Sequence, residues 1–322
     1  MSLSGIALVT GGAGFIGSHI ARALLEQGAQ VRIIDNLSTG YLDNIAEVGE
    51  VDFINASIND NDALKRSLED VELVFHQAAI PSVPRSVNHP LETHDASVNG
   101  TFSLLLAARD CKVRRVVYAA SSSVYGDQAE SPKRETMRPD PLSPYAVAKL
   151  VGEYYCQVFT RTYGLETVSL RYFNVFGPRQ DPGSEYSGVI SRFILALERG
   201  EHPVIYGDGE QSRDFTYISN VVDANLRAAQ TREASGKVFN VANGESVSIN
   251  EVLETLKKLT GRTEINAEYA APRPGDVRDS LADLNAAKSV LGYAPTVGLE
   301  AGLKLTLDWW KTSRFSKSAN SE

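Results

Sequence analysis

The sequence has little of three features that would place it in other protein classes. Only two cysteines, Cys111 and Cys156, occur among 322 residues, which excludes a disulfide framework and is typical of a reducing compartment. No apolar run approaches the length of a membrane span. The 32 basic residues are outnumbered by 40 acidic ones and form no block or stripe, so no nucleic-acid partner is expected. No metal site is predicted.

The start and length of the chain set further expectations. The first apolar strand begins within about five residues of Met1, which leaves no room for a signal peptide. We therefore expect a cytoplasmic protein with no membrane partner. A chain of 322 residues with 43% hydrophobic content can bury a large core, in one large domain or two fused ones.

The most informative stretch is Ile6-Ala7-Leu8-Val9-Thr10-Gly11-Gly12-Ala13-Gly14-Phe15-Ile16-Gly17, where an apolar run stops at glycines and helical spacing follows. This order indicates a buried strand, a tight turn and a helix N-terminus. Glycine permits positive φ and close approach of a phosphate, at which the first helical N–H groups point. The stretch predicts a dinucleotide site made by Gly11, Gly14 and Gly17 with Phe15 and Ile16; the alternative is a purely structural turn.

The next predicted strand, Gln30–Asp35, ends in a carboxylate 18 residues after Gly17. An acid at this position accepts hydrogen bonds from the adenosine ribose hydroxyls, and its charge repels a 2′-phosphate. Asp35, with Asn36 beside it, therefore predicts NAD rather than NADP as the cofactor. The alternative is a solvated aspartate at a strand end.

Strands and helices alternate through the first half of the chain, which predicts an α/β fold with a Rossmann-type, doubly wound parallel sheet. Beyond residue 171 the strands shorten and helices dominate, which predicts a smaller mixed α/β substrate-binding domain. The strands are expected at 51–55, 71–79, 115–120, 165–171, 203–206 and 238–241, and helices at 62–68, 91–108 and from 143. The NAD-binding domain is predicted to span 1–174 with a return segment at about 214–242, and the second domain 175–213 and 243–322.

A polar cluster and a helical pair indicate the chemistry. Ser121 follows a buried strand, and Tyr145 and Lys149 lie one helical turn apart on one face. A phenol with a pKa of about 10 needs a shift of roughly 3 units, about 4 kcal/mol, to act as a base near neutrality. Lys149 and the nicotinamide charge could stabilise the phenolate, and the Ser121 hydroxyl could relay the proton. The alternative is a surface helix pair without a role.

With these motifs the chain resembles the extended short-chain dehydrogenases/reductases, specifically NAD-dependent UDP-glucose/UDP-N-acetylglucosamine 4-epimerases. The resemblance extends over nearly the whole sequence. It rests on the glycine turn, S-x-x-V-Y-G at 121–126, Y-x-x-x-K at 145–149, R-Y-F-N-V-F-G-P-R at 171–179, and two later segments, 207–215 and 273–278.

The resemblance implies residue roles and a reaction. Ser121, Tyr145 and Lys149 would be catalytic, and the 4-keto sugar formed from a UDP-hexose would turn over and be reduced on its other face. NAD would be held by the glycine turn together with Asp35, Asn36, Ser57, Ile58, Ala78, Ala79, Asn99, Tyr145, Lys149 and Tyr172. The UDP-sugar would meet Ser121, Ser122, Ser123, Tyr145, Asn174, Val189, Val204, Tyr206, Arg213, Arg273, Asp276 and Ser280.

Some of these residues have open alternatives. Arg213 and Arg273 suit a diphosphate because guanidinium forks match phosphate oxygens, but could form surface salt bridges. Relatives often carry Asp in place of Ser57, which leaves the adenine contact open. Ser280 occupies a position where epimerases confined to glucose and galactose tend to carry Tyr; a serine leaves room for an acetamido group.

Rival functions also remain open at the level of the sequence. Dehydratases and decarboxylases of the family carry a carboxylic acid just before V-Y-G, where this chain has Ser122 and Ser123. A UDP-glucuronate 4-epimerase, another NAD-dependent nucleotide-sugar enzyme or a non-catalytic NAD-sensing interaction protein are the alternatives. The resemblance implies a homodimer formed through helices at about 91–110 and 144–163.

Overall fold

The structure is a computed structural model that describes residues 5–181, 188–272 and 277–313. At its centre lies a seven-stranded sheet in which every neighbouring pair of strands is parallel. Its strands are β1 (Ile6–Thr10), β2 (Gln30–Asp35), β3 (Asp52–Asn55), β4 (Val71–His76), β5 (Arg115–Ser121), β6 (Glu166–Tyr172) and β11 (Lys237–Val241), in the order β11-β6-β5-β4-β1-β2-β3. This sheet confirms the predicted Rossmann-type doubly wound fold.

Helices cover both faces of the sheet. They are α1 (Phe15–Glu26), α2 (Leu42–Ala46), α3 (Asn61–Ser67), α4 (Val83–Asn88), α5 (Pro90–His94), α6 (Gly100–Asp110), α7 (Pro144–Tyr163), α8 (Val189–Arg199), α9 (Ile218–Gln230), α10 (Ile249–Thr260) and α11 (Leu299–Trp310). The 20-residue α7 begins where Ser143 caps the Ala146 N–H and Pro144 sets the first φ angle. It ends at Gly164, which adopts the left-handed conformation.

One expected helix is divided into three parts. The stretch predicted as a single helix over 91–108 consists of α5, a π-helical turn over Asp95–Asn99, and α6. The apolar periodicity predicts a helix, but it does not show where one extra residue in a turn makes that turn π-helical. The other expected boundaries agree to within a residue or two, except that β4 ends at His76 and leaves Gln77 to Ala79 beyond the strand.

The later part of the chain adds short strand pairs and continues the core. Its strands are β7 (Val175–Phe176), β8 (Val204–Tyr206), β9 (Ser212–Arg213), β10 (Thr216–Tyr217), β12 (Val247–Ser248) and β13 (Glu268–Ala270), paired as β7–β10, β8–β13 and β9–β12. A continuous apolar cluster connects the sheet residues Val9 and Phe75 with Phe193, Leu253 and Trp310. The division into two domains therefore does not separate two independent cores. Among the described helices, none combines the length and apolarity that crossing a membrane requires.

Candidate active site

A cavity of about 1230 Å³ opens at the carboxyl ends of β1, β2, β4, β5 and β6. The ends of parallel strands are where doubly wound sheets bind ligands. Most of the residues expected to contact NAD or the sugar line this cavity: Gly11, Gly14, Phe15, Ile16, Gly17, Asp35, Asn36, Ser57, Ile58, Ala78, Ala79, Ser121, Ser122, Ser123, Tyr145, Lys149, Tyr172, Asn174, Arg213 and Ser280. The fold therefore gathers residues from positions 11 to 280 into one space.

The glycine turn has a shape that suits a diphosphate. Gly11 adopts φ +67°, and a Cβ on Gly17 would lie 2.2 Å from the Gly11 carbonyl oxygen. Only glycine allows this backbone contact. Gly14 caps α1 without any side-chain hydrogen bond, so the first N–H groups of the helix face the cavity without a side-chain acceptor. The turn therefore fits the dinucleotide predicted from the sequence.

Asp35 stands at the end of β2, beside the turn. Its two carboxylate oxygens accept hydrogen bonds from the backbone N–H groups of Ala13, at 3.0 Å, and Leu37, at 2.8 Å. Burial raises the pKa of Asp35, and the two hydrogen bonds oppose that rise. Asp35 thus holds the turn in place and also lines the cavity.

Tyr145 and Ser121 meet across the cavity wall, although 24 residues separate them in the chain. Ser121 ends β5, and Tyr145 lies in the first turn of α7. The Ser121 hydroxyl accepts hydrogen bonds from the Ser123 N–H, at 3.2 Å, and the Ser123 hydroxyl, at 2.9 Å. Burial raises the pKa of Tyr145, while the nearby Ser121 hydroxyl lowers it.

Lys149 lies beneath Tyr145 rather than in contact with its hydroxyl. The Lys149 Nζ atom is 5.9 Å from the Tyr145 ring centroid and donates a hydrogen bond to the Ala119 carbonyl at 2.8 Å. Burial lowers the pKa of Lys149 to about 8, and the nearby Glu153 carboxylate opposes this change. In the chain by itself burial is the largest effect on the Tyr145 pKa and raises it, so the lowering expected from Lys149 together with the nicotinamide charge stays a prediction.

Tyr172 ends β6 and forms part of the floor of the cavity. Its hydroxyl donates to the Asn225 amide oxygen at 3.0 Å and accepts from the Asn225 amide nitrogen at 2.9 Å. Gln77, another cavity residue, donates to the same hydroxyl at 3.2 Å. Burial raises the pKa of Tyr172 to about 12, so this side chain stays a neutral phenol at physiological pH.

A second cavity of about 380 Å³ adjoins the first. Val189, Val204 and Tyr206 line it, and Asn174 and Arg213 line both cavities. Arg213 is half-buried, and its Nη1 donates to the carbonyls of Ser212, at 2.8 Å, and Arg278, at 3.1 Å. The residues expected at the nucleotide end of the substrate therefore lie together, apart from the catalytic group.

One expected residue stands apart from this arrangement, and two others cannot be placed in it. Asn99 is exposed on the π-helical turn, donates to the Asp95 carboxylate at 2.7 Å, and is not among the residues that line either cavity. Arg273 and Asp276 lie outside the described residues.

The structure also brings side chains to the cavity that sequence reasoning did not single out. They include Tyr41, Gln77, Arg85, Lys133, Arg179, Gln180 and Asp279. Arg179 is the last residue of the R-Y-F-N-V-F-G-P-R segment and Gln180 follows it, so this segment is the sequence signal that pointed to this region. No local pattern marks Tyr41 or Arg85. His76, the last residue of β4, is buried between Thr10 and Thr101, and burial lowers its pKa to about 3.

Comparison with known proteins agrees with this geometry. Residues 7–242 match the NAD dependent epimerase/dehydratase family. A putative UDP-glucose 4-epimerase of Methanocaldococcus jannaschii is 42% identical over 309 residues, which cover 95% of this chain and 98% of that protein.

Solved structures extend the similarity to three dimensions. UDP-glucose 4-epimerase of Thermotoga maritima, solved with UDP-glucose, is 40% identical with a TM-score of 0.91, covering 95% of this chain and 99% of that one. UDP-N-acetylglucosamine 4-epimerase of Methanobrevibacter ruminantium, in complex with UDP-N-acetylmuramic acid, is 40% identical with a TM-score of 0.92, covering 96% and 99%. These findings confirm an enzyme with NAD as its cofactor and the resemblance to extended short-chain dehydrogenases/reductases. The chain belongs to the NAD-dependent epimerase/dehydratase family.

Proposed function

We propose that this enzyme interconverts UDP-hexoses that differ in configuration at C4, through a 4-keto intermediate. UDP-glucose/UDP-galactose and UDP-N-acetylglucosamine/UDP-N-acetylgalactosamine are the proposed substrate pairs. The observation that carries the proposal is that the Tyr145 phenol and the Ser121 hydroxyl line one cavity together with Lys149 and the glycine turn. The similarity to 4-epimerases over nearly the full chain supports the same assignment.

In the proposed reaction, Tyr145 takes the proton of the C4 hydroxyl, and Ser121 positions that hydroxyl through a hydrogen bond. Lys149 contributes its positive charge below the phenol ring. NAD, held by the glycine turn and Asp35, would supply the acceptor for the hydride of sugar C4 and the source of that hydride in the return step. Because burial by itself raises the pKa of Tyr145, the phenolate requires cationic neighbours, and among the described residues Lys149 places its ammonium 5.9 Å from the Tyr145 ring centroid.

The nucleotide would be held away from the reacting carbon. Arg213 lines both cavities, and its guanidinium group suits the substrate diphosphate. Val189, Val204 and Tyr206 form an apolar wall of the second cavity, where we place the uridine. Arg273 and Asp276 are proposed partners from the sequence. Anchoring through the remote nucleotide lets the sugar stay loosely held, so that its two faces can be presented in turn.

The strand end argues against dehydration and decarboxylation as the reaction. Ser122 and Ser123 line the cavity where those enzymes carry a carboxylic acid, and for dehydration a serine hydroxyl cannot protonate the leaving hydroxyl group as such an acid does. UDP-glucuronate differs from UDP-glucose only at C6, so it remains the alternative substrate to be tested.

Purified enzyme should be assayed without added NAD against UDP-glucose, UDP-N-acetylglucosamine and UDP-glucuronate, with products separated by chromatography. We expect conversion of the first two to their C4 epimers and NAD release on denaturation. Conversion of UDP-glucuronate alone would assign the alternative substrate. Bound NAD with no conversion of any sugar would favour the NAD-sensing interaction protein and contradict the proposal.

The proposal extends to assembly and location. The two-domain division at residues 1–174 and 175–322, with its return segment at about 214–242, is an interpretation of the short strand pairs that follow β6.

A homodimer is proposed through α7 and the α5–α6 region, which expose Leu91, Val147, Tyr154 and Val158. A cytoplasmic location is proposed because Cys111 and Cys156 are both free thiols.

A further inference from the structure

A buried ion pair lies directly behind the proposed catalytic residues. Arg171 on β6 donates two hydrogen bonds to Glu153 on α7: Nε to Oε1 at 2.9 Å and Nη2 to Oε2 at 2.8 Å. The side chains are 4% and 1% exposed. Such a two-point contact fixes the orientation of both groups, and removal from water makes their charges act over longer distances.

The position of Glu153 links the pair to the catalytic residues. Glu153 lies four residues after Lys149 and eight after Tyr145 on α7, so all three share one helix face. The Lys149 ammonium is almost fully buried and has the Ala119 carbonyl as its hydrogen-bond acceptor. A buried cation is costly unless a negative charge lies near it. The Glu153 carboxylate supplies that charge and opposes the lowering of the Lys149 pKa by burial.

The position of Arg171 links the pair to the floor of the cavity. Its guanidinium carbon lies 4.7 Å from the ring centroid of Tyr125, a cavity residue whose hydroxyl donates to Asn240 at 2.7 Å. The next residue along β6 is Tyr172, which also lines the cavity. The pair therefore connects α7 to two aromatic side chains of the site.

Other titratable groups near Lys149 and the pair are accounted for. The groups near Lys149 and Arg171 are Tyr118 on β5, His76 on β4, Tyr145 on α7 and Glu135. The helices that pack on α7 carry Arg85, Glu92 and Asp95. Burial keeps His76 and Tyr118 neutral. Arg85 and Glu92 pair with each other at the surface, at 2.9 Å, and Asp95 is exposed and accepts from Asn99. Among the described residues, Glu153 is the buried carboxylate one helical turn from Lys149, and its charge raises the Lys149 pKa against the effect of burial.

We propose that Glu153 and Arg171 are positioning residues of this site: the carboxylate keeps Lys149 charged beneath Tyr145, and the guanidinium fixes that carboxylate against the cavity floor. The inference rests on the proposed epimerase function, because it assigns a role in the same reaction. A charged Lys149 is required for activity in this scheme, so loss of its proton defines the alkaline limb of the pH–rate profile.

The test compares Glu153→Gln with Glu153→Asp and with a matched control. Arg115 and Glu166 form a similar pair on the amino ends of β5 and β6, with Arg115 buried and an Nη2–Oε2 distance of 2.7 Å. Glu153→Gln should move the alkaline limb of kcat/KM to lower pH by roughly one unit, because it removes the negative charge beside Lys149. Glu153→Asp keeps the charge and should leave the limb near its wild-type position. Glu166→Gln should lower thermal stability without moving the limb.

A second variant and a second readout keep the inference testable if Glu153→Gln folds poorly, since that change leaves a buried guanidinium charge unpaired. The double variant Glu153→Leu/Arg171→Met removes both charges and should show the same direction of shift. Titration of the Lys149 resonance in lysine-labelled protein, assigned with Lys149→Arg, measures the pKa without any substrate. We expect a lower Lys149 pKa in both variants than in wild type.

The outcomes separate this inference from the proposed function. An active wild-type epimerase whose alkaline limb and Lys149 titration do not move in either variant would overturn the role of the ion pair. Equal stability losses in Glu153→Gln and Glu166→Gln with unmoved profiles would assign the pair a structural role and overturn the inference as well. A wild-type enzyme without epimerase activity would contradict the proposed function, while the lysine titration would still test the charge coupling.

Discussion

Tyr145 is the side chain whose removal tests the chemistry most directly. Tyr145→Phe deletes one oxygen from a half-buried ring and leaves its packing almost unchanged, so the proton acceptor is lost without a change in shape. We expect kcat to fall by about 10²–10⁴ while UDP-sugar binding, measured by calorimetry, stays close to wild type. Tyr154→Phe removes a hydroxyl from an exposed tyrosine on the same helix and should have no effect on kcat. Retention of most activity in Tyr145→Phe would contradict the assignment of the base.

Ser280 is the residue through which we expect sugar choice to be tested. Its backbone N–H donates to the Ser212 carbonyl at 3.2 Å, which fixes the position of a side chain that lines the cavity. Ser280→Tyr adds a ring to this wall and should lower kcat/KM for the N-acetyl sugars by about 1–3 kcal/mol of transition-state stabilisation, while UDP-glucose turnover changes less. Kinetics of both pairs in both proteins measure the effect. Equal losses for the two pairs would show that Ser280 does not face the acetamido group.

At the scale of elements, the β1–turn–α1 unit determines how closely a phosphate can approach. Gly17→Ala places a Cβ 2.2 Å from the Gly11 carbonyl oxygen, a backbone atom that cannot turn away. The turn must open, so we expect a loss of about 1–3 kcal/mol in the free energy of unfolding and a marked weakening of NAD binding. Gly298→Ala is the matched control, because a Cβ there meets nothing within 4 Å. Thermal unfolding and NAD titration of both variants check this, and wild-type NAD affinity in Gly17→Ala would contradict it.

Helix α7 shows how one element serves several purposes. Its regular spacing puts Tyr145, Lys149 and Glu153 on the face toward β5 and β6, while Val147, Tyr154 and Val158 lie on an exposed face. The inward face carries the proposed chemistry. The outward face is apolar, and no other part of the described chain covers it, which is typical of a protein–protein interface.

At the scale of the whole molecule, that exposed face predicts self-association. Val158→Glu puts a charge in the centre of the proposed interface and should convert dimers to monomers, as measured by analytical ultracentrifugation across a range of concentrations. Leu305→Glu is the control, because Leu305 is similarly exposed on α11, outside the proposed interface. A wild-type protein that sediments as a monomer at every concentration would contradict the proposed homodimer, and so would a Val158→Glu variant that remains dimeric.

Local patterns in the sequence determined a large part of this protein. The glycine turn, Asp35 at the end of β2 and the four-residue spacing of Tyr145 and Lys149 depend on hydrogen bonds and burial within one or two neighbouring elements. Such features repeat with the period of a strand or a helix, so they can be recognised without knowing the rest of the fold. They were sufficient for the parallel sheet and for NAD, both of which are confirmed.

Tertiary structure alone decided which distant groups meet. The approach of Tyr145 to Ser121 in one cavity, the Lys149 hydrogen bond to Ala119 and the Glu153–Arg171 pair each join different elements. Their geometry depends on strand register and on how α7 packs on β5 and β6, which no spacing in the sequence records. The same holds for the pKa of Tyr145. The sequence placed a cation four residues away, but the depth of burial, set by the packing of the whole molecule, decides which effect on the phenol is larger.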